Sequence, residues 1–227
     1  MKAILLCAGK GLRLRPYTNN IPKCLMPIRG KPLLEIWLSK LKNIGINEFL
    51  VNTHYLSHKV TSYIHNSEFS DSVTIVDEEK LLGTAGTLIK NIDFFEGQDG
   101  MLIHADNYTL DNLNEFINAH LTRPKNCLMT MMTFETDVPQ SCGIVKTDDK
   151  NIVTDFYEKQ TNYNGNIANG AVYILSKDFQ RLLLSDFFNA TDFSREIVNS
   201  MTNKILAYKT NDIFIDIGTV KNYERVR

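Results

Sequence analysis

"LLCAGKGLRLRPYTNNIPKCLMPI", residues 5–28, decides how this chain is read. It opens on the end of an apolar run, 2–7, of the kind that forms a buried parallel strand. It then breaks into Gly9 and Gly11 and carries four cations, Lys10, Arg13, Arg15 and Lys23, across fourteen residues. The 227-residue chain has a net charge of only -1, yet residues 1–34 contain seven Lys or Arg and no Asp or Glu. Cations alternating with glycines, prolines and apolar residues predict a shaped anion site rather than a solvated face. Backbone N–H groups of Gly9 to Leu12 can form an anion nest. Arg13 can grip two oxygens at once. Lys23 follows Pro22, is expected to be extended, and can supply a second point charge. Arg15 reads as a solvated residue or a structural ion pair. The G-K-G spacing is not a complete dinucleotide fingerprint, because Leu14 stands where the third glycine belongs, and no G-K-[ST] follows to make a Walker A loop.

Working outward, strands are predicted at 2–7, 48–53, 73–76 and 100–104, with helices over 33–44, 57–65, 84–92 and 110–120. This alternation predicts an α/β fold, a Rossmann-like three-layer sandwich around a mixed, mostly parallel sheet. Beyond residue 125 the runs "CLMTMMTF", "CGIVKT", "IVTDFYEK" and "NGAVYIL" read as short strands. Helices follow at 177–184 and 192–201, and a last strand, "DIFIDIG", leads into a short helix at Lys221. With no repeat and no linker, residues 1–227 read as one domain with halves 1–120 and 121–227. Hydrophobic residues make up 43%, enough for a substantial core. No apolar stretch reaches bilayer length and no signal peptide is recognisable, so a cytoplasmic location is expected. Cys7, Cys24, Cys127 and Cys142 form no C-x-x-C pair and read as reduced thiols. A pI near 6.5 argues against a general nucleic-acid binder.

Asp106 ends a strand in "HADN" and Asp216 ends another in "IDIG". Two carboxylates at the carboxyl edge of such a sheet suit Mg²⁺ shared with phosphate oxygens, and helix capping is the alternative for either. His104 reads as a satisfied polar residue near the core and not as a ligand. Gly83-Thr84-Ala85-Gly86 reads as a helix opening.

The stretch "LLCAGKGLRLRPYTNNIPKCLMPIRGKPLLE" resembles the signature of the sugar-phosphate nucleotidylyltransferases, and "LLGTAGTL", "HADN", "CGIV", "FYEKQ", "NGAVYIL" and "IDIGT" follow in that family's order. The resemblance implies the nucleotide-diphospho-sugar transferase fold. It also implies a reaction in which a nucleoside triphosphate and a sugar 1-phosphate give a nucleotide sugar and pyrophosphate. It implies catalytic roles for Arg13 and Lys23. Nucleotide contacts would fall at Leu6, Ala8, Gly9, Gly11, Glu78, Gly83 and Thr84. The sugar phosphate would be bound at Gly143, Glu158, Lys159 and Asn169, and Mg²⁺ would be held by Asp106 and Asp216. Neither nucleic acid nor a membrane is an expected partner, and a homodimer is allowed. Leu12, Cys142 and Gln160 depart from the family pattern, replacing its Thr, aromatic and Pro. Glu78 facing guanine favours GTP. A uridylyl-, thymidylyl- or cytidylyltransferase, a non-catalytic relative and a glycosyltransferase are the alternatives. The retained Arg13, Lys23, Asp106 and Asp216 favour an enzyme, and the lack of a D-x-D motif disfavours a glycosyltransferase.

Overall fold

The computed structural model describes residues 1–159 and 165–227, so Gln160 lies outside the described residues. The chain runs β1 (Lys2–Leu6), β2 (Pro27–Ile28), β3 (Lys31–Pro32), α1 (Leu33–Asn43), β4 (Phe49–Thr53), α2 (Ser57–His65), β5 (Val73–Asp77), α3 (Gly83–Lys90), β6 (Gly100–His104), β7 (Asn107–Thr109) and α4 (Leu113–Leu121). It continues through β8 (Met129–Glu135), β9 (Gly143–Thr147), β10 (Val153–Glu158), β11 (Ile167–Leu175), α5 (Lys177–Asp186), β12 (Ile205–Lys209), β13 (Phe214–Asp216) and α6 (Val220–Tyr223). Among the described residues no helix is long and apolar enough to cross a membrane.

The main sheet is mixed, with strand order β10-β9-β11-β6-β1-β4-β5; β8 pairs with β11, and β12 with β8. β6, β1, β4 and β5 are mutually parallel, so their carboxyl ends share one edge: Leu6 is level with both Asn52 and His104. Successive residues of β1 face opposite layers. Ala3 and Leu5 join the core under α1, α2 and α4, whereas Ile4 joins the core under α3 and α5. This two-sided burial is why the strand reads as an unbroken apolar run. It gives the three-layer sandwich that the sequence predicts.

Three predicted elements differ. The helix expected from residue 110 begins at Leu113, because the Asn112 side chain accepts the Asn114 N–H and caps it there. The helix expected over 192–201 is a π-helical turn at Phe193–Val198 followed by a 3₁₀ turn at Asn199–Met201. The strand read in "DIFIDIG" does not join the main sheet. As β13 it forms a two-stranded antiparallel ribbon with β7, placing Asp216 opposite Asn107.

That ribbon is tied to the body by Trp37 of α1. Its ring is 1% exposed, and its indole N–H donates to the Asn107 carbonyl at 2.6 Å. Trp37→Phe would keep the packing but strand a buried carbonyl. It should lower stability by about 1–3 kcal/mol, read by urea denaturation with an unchanged m-value.

Candidate active site

Residues after β1 form the floor of the site. Gly11 adopts a left-handed conformation (φ 61°), and a Cβ there would lie 2.9 Å from Thr18 Cγ2. The Thr18 hydroxyl donates to the Gly11 carbonyl at 2.7 Å, which fixes the turn. Leu12–Leu14 then form a 3₁₀ turn that carries Arg13. Arg13 is exposed, makes no ion pair among the described residues, and lines a cavity shared with Asp106, Glu158 and Asp216. Lys23 departs from the expected extended backbone. Pro22 is itself extended (φ −62°, ψ 145°), and Lys23 opens a further 3₁₀ turn, Lys23–Leu25. The physical reason is that proline restricts the residue before it, not the residue after.

The Lys23 ammonium is the buried charge of the site. Nζ lies 2.6 Å from Asp106 Oδ2 and 3.3 Å from Asp216 Oδ1. Burial works to lower the lysine's pKa, but the two carboxylates outweigh it and leave it raised. Burial likewise pushes the Asp106 carboxyl up, and the Lys23 charge overcomes this and holds it below its ordinary value. The carboxylates meet because Asp106 follows β6 while Asp216 ends β13, and the Ile217 N–H donates to the Asp106 carbonyl at 3.1 Å. Asp216 Oδ1 also accepts the Gly218 N–H at 2.7 Å. One oxygen of each carboxylate, Asp106 Oδ1 and Asp216 Oδ2, therefore has no partner among the described hydrogen bonds. This pair fits a hard cation completed by phosphate oxygens and water, as Mg²⁺ prefers. No cluster of three or more His, Cys, Asp or Glu that could hold a metal exists among the described residues, so most ligands would have to come from substrate.

A second cavity lies beside the glycine loop, lined by Leu6, Ala8, Gly9, Glu78, Gly83 and Thr84. Glu78 is only 3% exposed, so it is not a solvated surface residue. Its carboxylate holds local structure: Oε1 accepts from the Asn52 side chain at 2.9 Å and from the Thr87 hydroxyl, and Oε2 accepts the Leu82 N–H at 3.1 Å. Asn52 Oδ1 in turn accepts the Cys7 N–H at 2.8 Å, which links this wall to the glycine loop. A carboxylate has about four acceptor positions, so one remains for a ligand donor. The sequence reading missed Asn52; a polar residue inside the buried strand "FLVNT" was the available signal.

Gly83 is positioned by close approach. Its φ is +79°, and a Cβ would sit 2.3 Å from the Thr191 carbonyl oxygen. That oxygen accepts the Ala85 N–H at 3.0 Å, and the Thr84 hydroxyl accepts the Phe193 N–H at 2.8 Å. The turn opening α3 is thus bonded to segment 191–193 from the other half of the chain.

The larger cavity brings together Gly143, Glu158, Lys159 and Asn169 as expected, with Cys142, which the sequence marks as a departure from the family pattern, and with Ser141, Asp192 and Ser194, which the sequence reading did not single out. Glu158 Oε1 pairs with Lys159 Nζ at 3.4 Å. Gly143 has to be glycine: a Cβ would meet Glu158 Oε2 at 2.6 Å and the Phe156 ring at 2.5 Å. Asn169 faces this cavity but is largely engaged. Its amide donates to the Tyr173 hydroxyl at 2.6 Å and its oxygen accepts the Ala171 N–H at 2.8 Å, bracing an irregularity in β11. His104 differs from the satisfied residue expected, because its Nε2 is buried without a hydrogen-bond partner. Burial pushes its pKa below the ordinary imidazole value.

The family model described as nucleotidyl transferase matches residues 2–227. The chain belongs to the nucleotidyl transferase family. It is 30% identical over 224 residues to D-glycero-alpha-D-manno-heptose 1-phosphate guanylyltransferase of Campylobacter jejuni, covering 98% of this chain and 97% of that one. It is 35% identical over 173 residues to UTP--glucose-1-phosphate uridylyltransferase of Synechocystis, covering 70% of this chain and 44% of that one. The fold is similar to that of HddC from Yersinia pseudotuberculosis, solved in complex with GMP-PN: the TM-score is 0.82 at 24% identity, over 99% of this chain and 97% of that one. Within the nucleotidyl transferase family, these relatives give the chain its class, a sugar-1-phosphate nucleotidyltransferase of nucleotide-sugar biosynthesis. The family generally depends on a divalent metal.

The lysine–carboxylate cluster makes a stability prediction. Lys23→Met leaves two carboxylates converging on an apolar group. The side chains of Asp106 and Asp216 stay 38% and 42% exposed, so the cost falls below that of breaking a fully buried pair. We expect a loss of about 1–3 kcal/mol at pH 7.5. Mg²⁺ should raise the melting temperature of the variant more than that of the wild type, as thermal unfolding would show.

Proposed function

We propose that this enzyme transfers the guanylyl group of GTP to a hexose- or heptose-type 1-phosphate, using Mg²⁺ and releasing pyrophosphate. The observation that carries the choice of base is the near full-length match to the Campylobacter jejuni guanylyltransferase. Buried Glu78, in the wall of the cavity that begins at Leu6, Ala8 and Gly9, is compatible with it, since its three bonds leave one nominal acceptor position for a donor of the base. Guanine offers donors at N1 and at its exocyclic amine. The three bonds already made to Glu78 leave it able to take one of them, not both. The Campylobacter jejuni relative supports the same base and a heptose-type acceptor, because the two chains align over nearly their full lengths.

In this reading the first half, 1–120, binds the nucleotide and the second half, 121–227, supplies most of the sugar cavity. Gly9, Gly11 and Arg13 hold the β- and γ-phosphates, and the open guanidinium of Arg13 serves the departing pyrophosphate. Gly83 and Thr84 close the base cavity. Lys159 binds the sugar phosphate, Glu158 accepts from ring hydroxyls, and Gly143 leaves room for that carboxylate. Asn169 shapes the cavity wall around them.

A non-bridging oxygen of the sugar 1-phosphate forms a bond to the α-phosphorus. The bond from that phosphorus to the bridging oxygen of pyrophosphate breaks, and pyrophosphate leaves with the electron pair. The chain holds two anions that repel each other and stabilises the charge that develops between them. Lys23 does this at the α-phosphate. Asp106 and Asp216 would hold Mg²⁺, which supplies charge neutralisation at the phosphates.

Competition among equal concentrations of GTP, UTP, dTTP and CTP, with a panel of sugar 1-phosphates and pyrophosphate release as the readout, tests the proposal. GTP should be preferred by about tenfold, the worth of one hydrogen bond in a desolvated cavity. A clear preference for another nucleotide would overturn the guanine assignment and leave the class intact.

A further inference from the structure

His104 ends β6, level with Leu6 of β1. Among the described residues, only three line both cavities: Thr84, His104 and Asp106. They stand where the base side of the site meets the phosphate side. The ring of His104 lies edge-on to Tyr173, with centroids 6.4 Å apart and an interplanar angle of 67°. Its Nε2 is sealed from solvent and has no partner. Its Nδ1 makes no hydrogen bond among the described residues; with Nε2 sealed and His104 lining both cavities, Nδ1 is the ring nitrogen available to a ligand there.

These facts select a tautomer. A buried N–H without an acceptor is among the rarest defects in native proteins, and an unused lone pair is tolerated better. The proton therefore belongs on Nδ1, and the sealed Nε2 keeps its lone pair. The ring then presents one neutral N–H donor at the junction of the two cavities. Thr84 is complementary to it: its oxygen already accepts the Phe193 N–H, which orients the hydroxyl and leaves its proton to be donated.

We propose that His104 is a specificity-determining residue that donates its Nδ1–H to a ribose hydroxyl of the bound nucleoside triphosphate. The inference rests on the proposed reading, in which the base lies against Glu78 and the phosphates lie near Arg13, Lys23 and Asp106. In a nucleotide laid across that path, the ribose is the part between base and α-phosphate, and the junction is where His104 stands. A hydroxyl supplies the acceptor that the Nδ1–H requires, and a deoxyribose position does not.

The test measures kcat/KM for the preferred nucleotide and for its 2′-deoxy and 3′-deoxy analogues. It uses the wild type, His104→Phe and His104→Asn, with pyrophosphate release as the readout and thermal unfolding as the control for folding. His104→Phe keeps the ring against Tyr173 and removes the donor. His104→Asn places an amide N–H near the position of Nδ1. The wild type should prefer the full ribose over one of the deoxy analogues by about fivefold or more. His104→Phe should bring that ratio close to one by raising KM for the ribonucleotide with little change in kcat. His104→Asn should restore part of it. A wild type that uses both deoxy analogues as well as the ribonucleotide overturns the proposal, and so does a His104→Phe variant with an unreduced ratio. Either result would leave the transferase reading standing. Absence of pyrophosphate release with every nucleotide would instead overturn the function itself, and this proposal with it.

Discussion

One ammonium group organises this site. Lys23 Nζ sits between Asp106, in the turn between β6 and β7, and Asp216, at the end of β13, which are 110 positions apart in sequence. Two carboxylates converging on one group repel each other, and burial works against the charges of Lys23 and Asp106. Their coexistence therefore depends on a cation at their point of convergence. In the free protein the lysine is that cation. A 3₁₀ turn delivers it, and the β7–β13 ribbon delivers its partners. The Trp37 indole holds that ribbon from below, and the Tyr223 hydroxyl holds the Pro27 carbonyl just after the lysine turn at 2.9 Å. The same arrangement is suited to receiving phosphates. A divalent cation entering between the carboxylates would take over the role of the ammonium and release the lysine toward a phosphate oxygen.

A second constraint is the bond between the two halves. The turn that opens α3 and segment 191–193 exchange two hydrogen bonds across a contact so close that only glycine fits at position 83. The two cavities therefore share a wall. In the proposed reading, a nucleotide and a sugar phosphate bound on either side of it would be held in a fixed mutual position, which is the main requirement for in-line transfer.

Much of this was legible in the sequence because it is local. The apolar run before Gly9, the carboxylate at the end of "HADN" and the glycine opening "GTAG" each announce themselves within a few residues. What escaped was non-local. β7 and β13 have three residues each, too few for a period to show, and their pairing sets where Asp216 lies. β12, at Ile205–Lys209, was missed because its two fully inward residues, Ile205 and Ala207, give only a faint alternation. Asp192 and Ser194 enter the cavity from a π-helical turn whose sequence reads as ordinary helix. The position of Lys23 was misjudged through a rule of local geometry, whereas its charge was read correctly. The acceptor capacity of Glu78 could not be read at all, since it is spent on Asn52, Leu82 and Thr87, and the first of these is 26 positions away.

The central proposal is that Asp106 and Asp216 would hold a divalent metal when substrate binds, where the Lys23 ammonium sits in the free protein. A crystal structure with Mn²⁺ and a non-hydrolysable GTP analogue, with the metal located by its anomalous signal, tests it most directly. The account predicts manganese bonded to one oxygen each of Asp106 and Asp216, with the Lys23 ammonium moved onto an α-phosphate oxygen. Manganese bound elsewhere, with Lys23 still paired to both carboxylates, would contradict it.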